Sequence, residues 1–337
     1  MKLLLIAVLV LGVGGTRLSA EQRTGEIFVI SSSGGAKRVL TSTPARHPSL
    51  SPDGHLIAFD SGEIHVMNVD GSGQRNVGTA TGERPQWAPD GRRLVYTSWN
   101  DSGCYPGPAQ KCAVTEVWTV NVDGSANHKV LDKALHPAWS PNGRRLLFRD
   151  FVGPAEAGMP VGALKVAWTD GSHVRTLSRK VAATDGEFNP PAWSPNGKWI
   201  AFDATAPTKR QEHRLFLVRP DGSHLHLLTT GMFPAWSPNG KSIAFERAAF
   251  RPYRVGIWIV PAAGGRARRV SALGQCPAWS ADGRRIAFLT DKALGVVRAD
   301  GRGRTLLAAA TDCDHGLTDF PSPPVWSRDG REIYFIG

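Results

Sequence analysis

The sequence predicts an all-β protein, a seven-bladed β-propeller of four-stranded antiparallel blades, and three observations support this fold class. A twelve-residue phrase, Pro-x-Trp-Ser-Pro-Asp/Asn-Gly-x-x-Ile-Ala-Phe with local variations, occurs seven times in the 337 residues. A second hydrophobic stretch, ending in Asp-Gly or a Gly-rich turn, follows each of the first six copies. The matching stretch for the seventh copy lies at residues 26–41, near the opposite end of the chain. Repeats with a period of about 20–50 residues are typical of solenoids and propellers.

Each copy of the phrase predicts a β-hairpin. Its Ser-Pro-Asn-Gly centre forms a tight turn, because proline presets φ and glycine adopts the left-handed φ that closes a hairpin with a bulge. A short strand carrying tryptophan precedes the turn, and the Ile-Ala-Phe strand follows it. The copies occupy residues 48–59, 85–96, 137–148, 191–202, 234–245, 277–288 and 324–335.

The second stretch predicts another hairpin, so each repeat supplies the four strands of one blade, here named a, b, c and d in chain order. The last phrase is not followed by a second hairpin. Its missing half is expected from residues 26–30 and 37–41, joined by a Gly34-Gly35 turn. The seventh blade then joins both ends of the propeller, which closes the ring and removes open sheet edges. Six blades are the alternative.

Residues 1–20 are expected to be a signal peptide, since Lys2 gives a charged start, residues 3–13 are apolar, and Leu18-Ser19-Ala20 fits a cleavage site. An uncleaved anchor is the alternative, although the apolar stretch is short for a bilayer span. Residues 21–337 are expected to form a single propeller domain with no further membrane span. The mature protein is therefore predicted to be exported, either to the periplasm or to the extracellular space.

The four cysteines agree with export, because disulfides form in oxidising compartments. Cys104 and Cys112 bracket a short loop and are predicted to pair. Cys276 and Cys313 lie in successive connections between blades and are predicted to pair across neighbouring blades. The alternative is that all four thiols are free and buried. No Cys-x-x-Cys spacing indicates a zinc site.

The chain is basic, with a net charge of +11, or +9 once Lys2 and Arg17 leave with the signal peptide. One interpretation is a basic face attracted to an anionic wall polymer, a lipid surface or an acidic partner. The interpretation that we favour is that lysine and arginine on outer strands discourage edge pairing. Nucleic acid is not an expected partner, because the basic residues are not interleaved with aromatic stacking platforms.

The long insertions, which include residues 98–113 in blade 2 and 246–255 in blade 5, all fall in b–c and d–a connections, which share one face of the disc. Functional loops on a rigid scaffold concentrate in this way, and unselected drift in loop length is the alternative. The repeated tryptophan is instead expected to pack between blades. The predicted binding residues are Arg84, Trp99, Tyr105, His136, Arg149 and Arg251.

The residue before each repeated proline lies at the start of the innermost strand, on the face that carries the insertions. These residues are therefore expected to surround the channel mouth. A metal site is an alternative use of this ring, with His47 and His136 joined by His315 from an adjacent insertion. No catalytic residue and no cofactor are predicted. The sequence has no nucleophile elbow, phosphate loop, dinucleotide fingerprint or calcium loop.

The repeated phrase, followed by Ile-Trp-x-Val-x-x-Asp-Gly, resembles the repeat of the TolB propellers of the bacterial envelope. It is also similar to WD-repeat-like repeats of secreted bacterial proteins and of prolyl-oligopeptidase-type enzymes. The resemblance covers residues 25–337 and implies the propeller fold with protein or ligand binding. TolB propellers have six blades behind an α/β domain, whereas this sequence has seven copies. Certain seven-bladed lyases resemble this layout and use propeller histidines for a metal.

The sequence thus favours an exported, non-enzymatic binding module that is expected to be monomeric. Loops on one face of the propeller would bind a protein or an anionic polysaccharide of the cell envelope. The alternative is a metal-dependent lyase or lactonase that acts on a sugar acid at the channel mouth.

Overall fold

The computed structural model describes residues 25–100, 114–150, 162–178, 190–205, 213–250, 253–310 and 322–337. These residues form 28 strands in seven four-stranded antiparallel sheets, with no helix in the described ranges. The predicted all-β, seven-bladed propeller is therefore confirmed. The described part of the chain therefore contains no helix that is long and apolar enough to span a membrane.

Both ends of the propeller meet in blade 7, where the N-terminal strands complete the sheet begun by the last phrase. The register runs through five residue pairs, from Ile27 opposite Ile336 to Ser31 opposite Glu332. This pairing closes the ring, so the six-blade alternative is wrong. The strands of blade 7, in chain order, are β1 (Ile27–Ser31), β2 (Arg38–Val39), β27 (Val325–Trp326) and β28 (Glu332–Ile336).

The other six blades each contain four strands that are consecutive in sequence, with strand a innermost. Blades 1 to 3 consist of β3 (Arg46–Leu50), β4 (Leu56–Asp60), β5 (Glu63–Asn68), β6 (Arg75–Ala80); β7 (Gly82–Trp87), β8 (Arg93–Asn100), β9 (Val114–Asn121), β10 (His128–Asp132); β11 (Ala134–Trp139), β12 (Arg145–Asp150), β13 (Leu164–Trp168) and β14 (Arg175–Thr176). Blades 4 to 6 consist of β15 (Ala192–Trp193), β16 (Ile200–Thr205), β17 (His213–Val218), β18 (His226–Thr230); β19 (Met232–Trp236), β20 (Ser242–Phe250), β21 (Tyr253–Pro261), β22 (Arg268–Ser271); β23 (Gln275–Trp279), β24 (Arg285–Leu289), β25 (Ala293–Arg298) and β26 (Thr305–Ala309).

The repeated serine and asparagine or aspartate hold the a–b turn through side-chain hydrogen bonds. In blade 5 the hydroxyl of Ser237 donates to Oδ1 of Asn239 at 2.9 Å and accepts the N–H of Ser242 at 2.9 Å. The N–H of Lys241 also donates to Asn239. Gly240 closes the turn with φ of +68°, a left-handed value that glycine adopts without steric cost. The turn chemistry expected from the phrase is therefore present.

The core lies between blades rather than within a single central cluster. The aromatic residue of each phrase is at most 3% exposed and packs against a neighbouring blade; these residues are Phe59, Tyr96, Phe148, Phe202, Phe245, Phe288 and Phe335. Five of the repeated tryptophans also donate their indole N–H to a carbonyl of strand a in the preceding blade; the donors are Trp87, Trp193, Trp236, Trp279 and Trp326. The expectation that these tryptophans pack between blades is confirmed.

Two expected insertions begin later than the sequence indicated. In blade 5, the residues assigned to an insertion at 246–255 extend strands b and c, which pair as far as Phe250 and Tyr253. In blade 2, Trp99 pairs with Thr115 inside the b–c ladder and not in a loop. Antiparallel pairing satisfies backbone hydrogen bonds without requiring the hydrophobic pattern on which the assignment depended.

Candidate functional site

A β-bulge shapes the start of strand a in five of the blades. In blade 3, Leu135 pairs with Arg149 and Ala138 with Leu147, so two residues of strand a lie opposite one residue of strand b. The residue before the repeated proline has φ between 49° and 56° in each case; these residues are His47, Arg84, His136, Phe233 and Cys276. Left-handed φ is uncommon outside glycine, and a bulge re-aims a side chain. The repeat therefore places these five bulged residues around the channel.

A second ring comes from strand b, at the position directly after the buried aromatic. Each member is at most 8% exposed; the members are Asp60, Thr97, Arg149, Asp203, Glu246, Leu289 and Ile336. Sequence reasoning missed the carboxylates of Asp60, Asp203 and Glu246. The sequence feature that could have identified them is a charged residue directly after the hydrophobic Ile-Ala-Phe strand. A charge at such a position must be paired if it is buried, since charges are almost never fully buried unless they are paired.

The two rings are joined across blade boundaries by backbone-to-side-chain hydrogen bonds. The N–H of Arg84 donates to Oδ1 of Asp60 at 3.0 Å, and the N–H of His136 donates to Oγ1 of Thr97 at 3.2 Å. The N–H of Cys276 donates to the carboxylate of Glu246 in the same way. The bulged residue of one blade is thus held by the strand b side chain of the preceding blade.

Asp60 is the most heavily engaged carboxylate of this region. Its Oδ1 lies 2.7 Å from Nδ1 of His47, and its Oδ2 lies 3.3 Å from Nε of Arg46. Burial alone raises the pKa of Asp60, but His47, Arg46 and the N–H of Arg84 outweigh it and hold that pKa below its usual value. The carboxylate therefore remains ionised at neutral pH.

Arg84 and Arg149 lie close enough to His136 to affect its pKa, and the three residues have exposures of 7%, 2% and 4%, respectively. Burial lowers the pKa of His136 well below its ordinary value, and the nearby charges of Arg84, Arg149 and His47 lower it further. Nη2 of Arg149 donates to the backbone oxygen of Asp203 in blade 4 at 3.0 Å. We name His47, Asp60, Arg84, His136 and Arg149 the mouth cluster.

The structure brings together three of the six predicted binding residues, namely Arg84, His136 and Arg149, and shows that they are buried. Trp99 lies near the end of strand b of blade 2, and its predicted binding role stays a prediction. Tyr105 and Arg251 lie outside the described residues, so their predicted roles stay predictions.

The predicted histidine metal site is described only in part. His47 lies close enough to His136 to lower its pKa electrostatically, whereas His315 is outside the described residues. In the described ranges, no group of three or more His, Cys, Asp or Glu side chains is arranged to hold a metal ion. Two imidazoles with Asp60 already engaged do not by themselves form a metal site.

The disulfide predictions concern mostly residues beyond the described ranges. Cys276 is 2% exposed and occupies the bulge of blade 6. Cys104, Cys112 and Cys313 are not among the described residues. The pairings of Cys104 with Cys112 and of Cys276 with Cys313 stay predictions.

Solved structures similar to this chain share its fold. They include a putative TolB from Agrobacterium tumefaciens, with 18% identity, coverage of 93% of this chain and 97% of that one, and a TM-score of 0.56. An oligogalacturonate lyase from Vibrio parahaemolyticus has 13% identity, coverage of 93% and 99%, and a TM-score of 0.66. The periplasmic gluconolactonase of Pseudomonas aeruginosa has 14% identity, coverage of 86% and 95%, and a TM-score of 0.53.

Identities this low show a shared fold and not a shared activity. No protein of curated function matches the sequence. The family model described as the TolB beta propeller domain matches residues 104–337, which is more than half of the chain. The chain therefore belongs to the TolB β-propeller domain family.

Proposed function

We propose that this propeller is an exported binding module that receives an acidic group of an envelope protein or polysaccharide at the mouth cluster. The observation that supports this proposal is the convergence of Arg84, His136 and Arg149, close enough for both guanidinium charges to depress the pKa of His136. Charge-assisted hydrogen bonds from arginine to a carboxylate are stronger than neutral ones, and a buried setting strengthens them further.

The burial of these residues defines how the partner approaches. With exposures of 7%, 4% and 2%, Arg84, His136 and Arg149 are not contacts for a partner that lies flat on the face. A single acidic group or side chain must instead enter the channel. The lowered pKa keeps His136 neutral at pH 7, so it offers a hydrogen bond to this group without adding a third buried positive charge.

A binding titration with matched variants tests the acidic-group proposal. Isothermal calorimetry would compare a uronic acid oligomer, an acidic peptide and a neutral dextran oligomer. Arg84→Met and His136→Gln should each weaken binding of the acidic probe at least about tenfold, the cost of one lost charge-assisted bond. Arg284→Met, which removes an exposed charge from the a–b turn on the opposite face, should leave the affinity unchanged.

Two results would overturn the proposal. Equal losses in Arg84→Met and Arg284→Met would mean that net charge alone attracts the probe. Unchanged binding in both mouth variants would place the acidic group elsewhere. The choice between the peptide and the oligosaccharide probe identifies the class of partner.

The proposal includes export from the cytoplasm. Export is supported by the sequence of residues 1–20 and by structural neighbours that include a periplasmic gluconolactonase. Fractionation of expressing cells, with N-terminal sequencing of the mature chain, would test it. A cytoplasmic product that retains Met1 would contradict export. Non-reducing peptide mapping of the same sample would test the Cys104–Cys112 and Cys276–Cys313 disulfides.

A second candidate function is a metal-dependent lyase or lactonase acting on a sugar acid. It is favoured by the 2.7 Å contact between Asp60 and Nδ1 of His47, because metal-ligating histidines commonly bond a carboxylate through their other nitrogen. One structural neighbour is an oligogalacturonate lyase in complex with manganese. In this chain His47 and His136, with His315, would hold the metal, which would supply Lewis-acid chemistry toward a carboxylated sugar.

Metal analysis separates the two candidates. Protein purified without chelators would be compared with a His47→Ala/His136→Ala variant by elemental analysis. One stoichiometric metal that is lost in the variant would support the enzyme. Equal metal content in both proteins would contradict this histidine site.

A further inference from the structure

A pocket of about 200 Å³ lies at the boundary between blades 4 and 5, apart from the mouth cluster. Its lining includes His213 at the start of strand c of blade 4 and Thr230 at the end of strand d. The opposite wall is the end of strand b of blade 5, with Arg247 and Ala248. Since a water molecule occupies roughly 30 Å³ of liquid, the pocket has room for a small ligand.

Arg247 is a half-buried guanidinium held in one orientation. Its Nε donates to the carbonyl of Thr230 at 3.0 Å, and Nη2 donates to Oγ1 of Thr229. The guanidinium carbon lies 4.6 Å from the ring centroid of Trp258 and 5.2 Å from that of Phe245. Stacking on aromatic faces and fixed hydrogen bonds pre-organise an arginine fork for a planar or tetrahedral oxyanion.

No carboxylate of the described residues forms an ion pair with Arg247. Glu246 is its neighbour in sequence, but successive residues of a strand point to opposite faces. Glu246 also lines the pocket, and its carboxylate accepts the N–H of Cys276 in blade 6. Burial lowers the pKa of Arg247 below its ordinary value, which reflects the cost of holding this charge partly out of water without a counter-ion.

Gly231 lines the pocket at a point where its backbone packs closely against strand b of blade 5. Gly231 has φ of +146°, and a Cβ at this position would lie 2.3 Å from Cδ2 of Phe245 and 2.6 Å from the backbone oxygen of Glu246. This close packing excludes any larger side chain at position 231. His213 lies on the opposite wall, with Nδ1 3.8 Å from Oδ2 of Asp203, and adds a second nitrogen-bearing side chain.

We propose that this pocket binds a small oxyanion, a carboxylate or a phosphate or sulfate group, with Arg247 as its main contact and His213 on the facing wall. The site does not depend on the mouth cluster. Arg247 lines the pocket, its hydrogen bonds to Thr229 and Thr230 use two of its five N–H donors, and its charge is not ion-paired among the described residues.

Amide chemical-shift mapping of the full chain tests the proposal directly. Sulfate, inorganic phosphate and acetate would each be titrated against chloride at constant ionic strength. Amides around Gly231, Arg247 and Ala248 should shift and saturate at millimolar anion, as a set distinct from any mouth-cluster amides that respond to the same anion. The ranking of acetate against the two tetrahedral anions identifies the preferred oxyanion.

Two variants with the same charge change provide the control. Arg247→Met keeps the aliphatic contact with Trp258 and should reduce the affinity at least tenfold. Arg266→Met removes an exposed charge from the opposite face of the same blade and should leave the affinity of this pocket unchanged. Wild-type shifts scattered over the basic surface, or equal affinities in Arg247→Met and Arg266→Met, would overturn the proposal. If Arg247→Met does not fold, the wild-type map still decides the question.

Discussion

Asp60 ties blade 1 to blade 2, because its carboxylate accepts the backbone N–H of Arg84 at 3.0 Å. The same carboxylate holds His47 at 2.7 Å and Arg46 at 3.3 Å within its own blade. One buried anion thus positions the bulged residues of two blades. Arg84 has φ of 56° at this point, and the hydrogen bond helps to retain a conformation that non-glycine residues rarely adopt.

Removing the charge of Asp60 should destabilise the propeller strongly. In Asp60→Asn the side chain keeps its shape, but Arg46 loses its buried counter-ion. Breaking one partner of a buried pair costs about 3 kcal/mol or more. Urea denaturation would measure the loss. Asp132→Asn, which alters an exposed ion pair with Lys129, should cost less than about 0.5 kcal/mol, and similar losses in the two variants would contradict the assignment.

Stability should fall as pH decreases through the range in which histidine titrates. The pKa of folded His136 lies well below its ordinary value, so below about pH 6.5 the unfolded chain binds a proton that the folded chain does not. The free energy of unfolding should then decrease by up to about 1.4 kcal/mol per pH unit for this group. His136→Gln should show a shallower slope between pH 7.5 and 5.

Some slope should remain in His136→Gln, because burial also lowers the pKa of His65. The measurement is a series of urea denaturation curves at each pH for both proteins. Identical slopes would mean that His136 does not titrate differently in the folded and unfolded chains.

The indole hydrogen bonds between blades can be tested with two closely matched tryptophans. Trp326 and Trp139 are both 7% exposed, and arginine lies 4.8 Å and 4.9 Å from their ring centroids. Trp326 donates to the carbonyl of Ala278 at 2.9 Å, whereas the buried N–H of Trp139 makes no hydrogen bond among the described residues. Trp326→Phe should therefore cost about 1 kcal/mol more than Trp139→Phe.

Thermal and chemical denaturation of the two phenylalanine variants would measure this difference. Both substitutions remove a similar area, so the packing loss largely cancels in the comparison. A greater loss in Trp139→Phe would contradict a stabilising role for the indole N–H.

The c–d turns offer a stabilising substitution. The residue after Asp-Gly-Ser has left-handed φ in successive blades, at 66° for Gly73 and 52° for the exposed Ala126. A left-handed conformation costs a non-glycine residue roughly 1–2 kcal/mol. A glycine avoids this cost, but it also increases the conformational entropy of the unfolded chain, which offsets part of the gain in stability. Ala126→Gly should raise the stability by about 0.5 kcal/mol, and Gly73→Ala should lower it. Differential scanning calorimetry would show melting temperatures shifted in opposite directions.

Much of the fold followed from local sequence, whereas the burial of the mouth cluster and one of its five residues did not. The phrase predicted the turn around Gly240 and the buried position of Phe245, because both depend on residues within one hairpin. Arg84, His136 and Arg149 were singled out as contacts on an elaborated face. Their burial was not predicted, and the carboxylate of Asp60 was missed. The spacing of residues within a repeat does not show which side chains of neighbouring blades come into contact.

The sequence by itself determined the seven hairpins, their turn chemistry and the two-ended seventh blade, because these rest on short-range periodicity and on a simple count of repeats. Tertiary structure alone decided which charges meet. Asp60 and Arg84 are 24 residues apart, and Arg149 reaches Asp203 across 54 residues. The first contact exists because the left-handed bulge of strand a places the N–H of Arg84 against the preceding blade. The second exists because blades 3 and 4 pack side by side. The strand b charges are then buried at blade boundaries, a placement that no single repeat encodes.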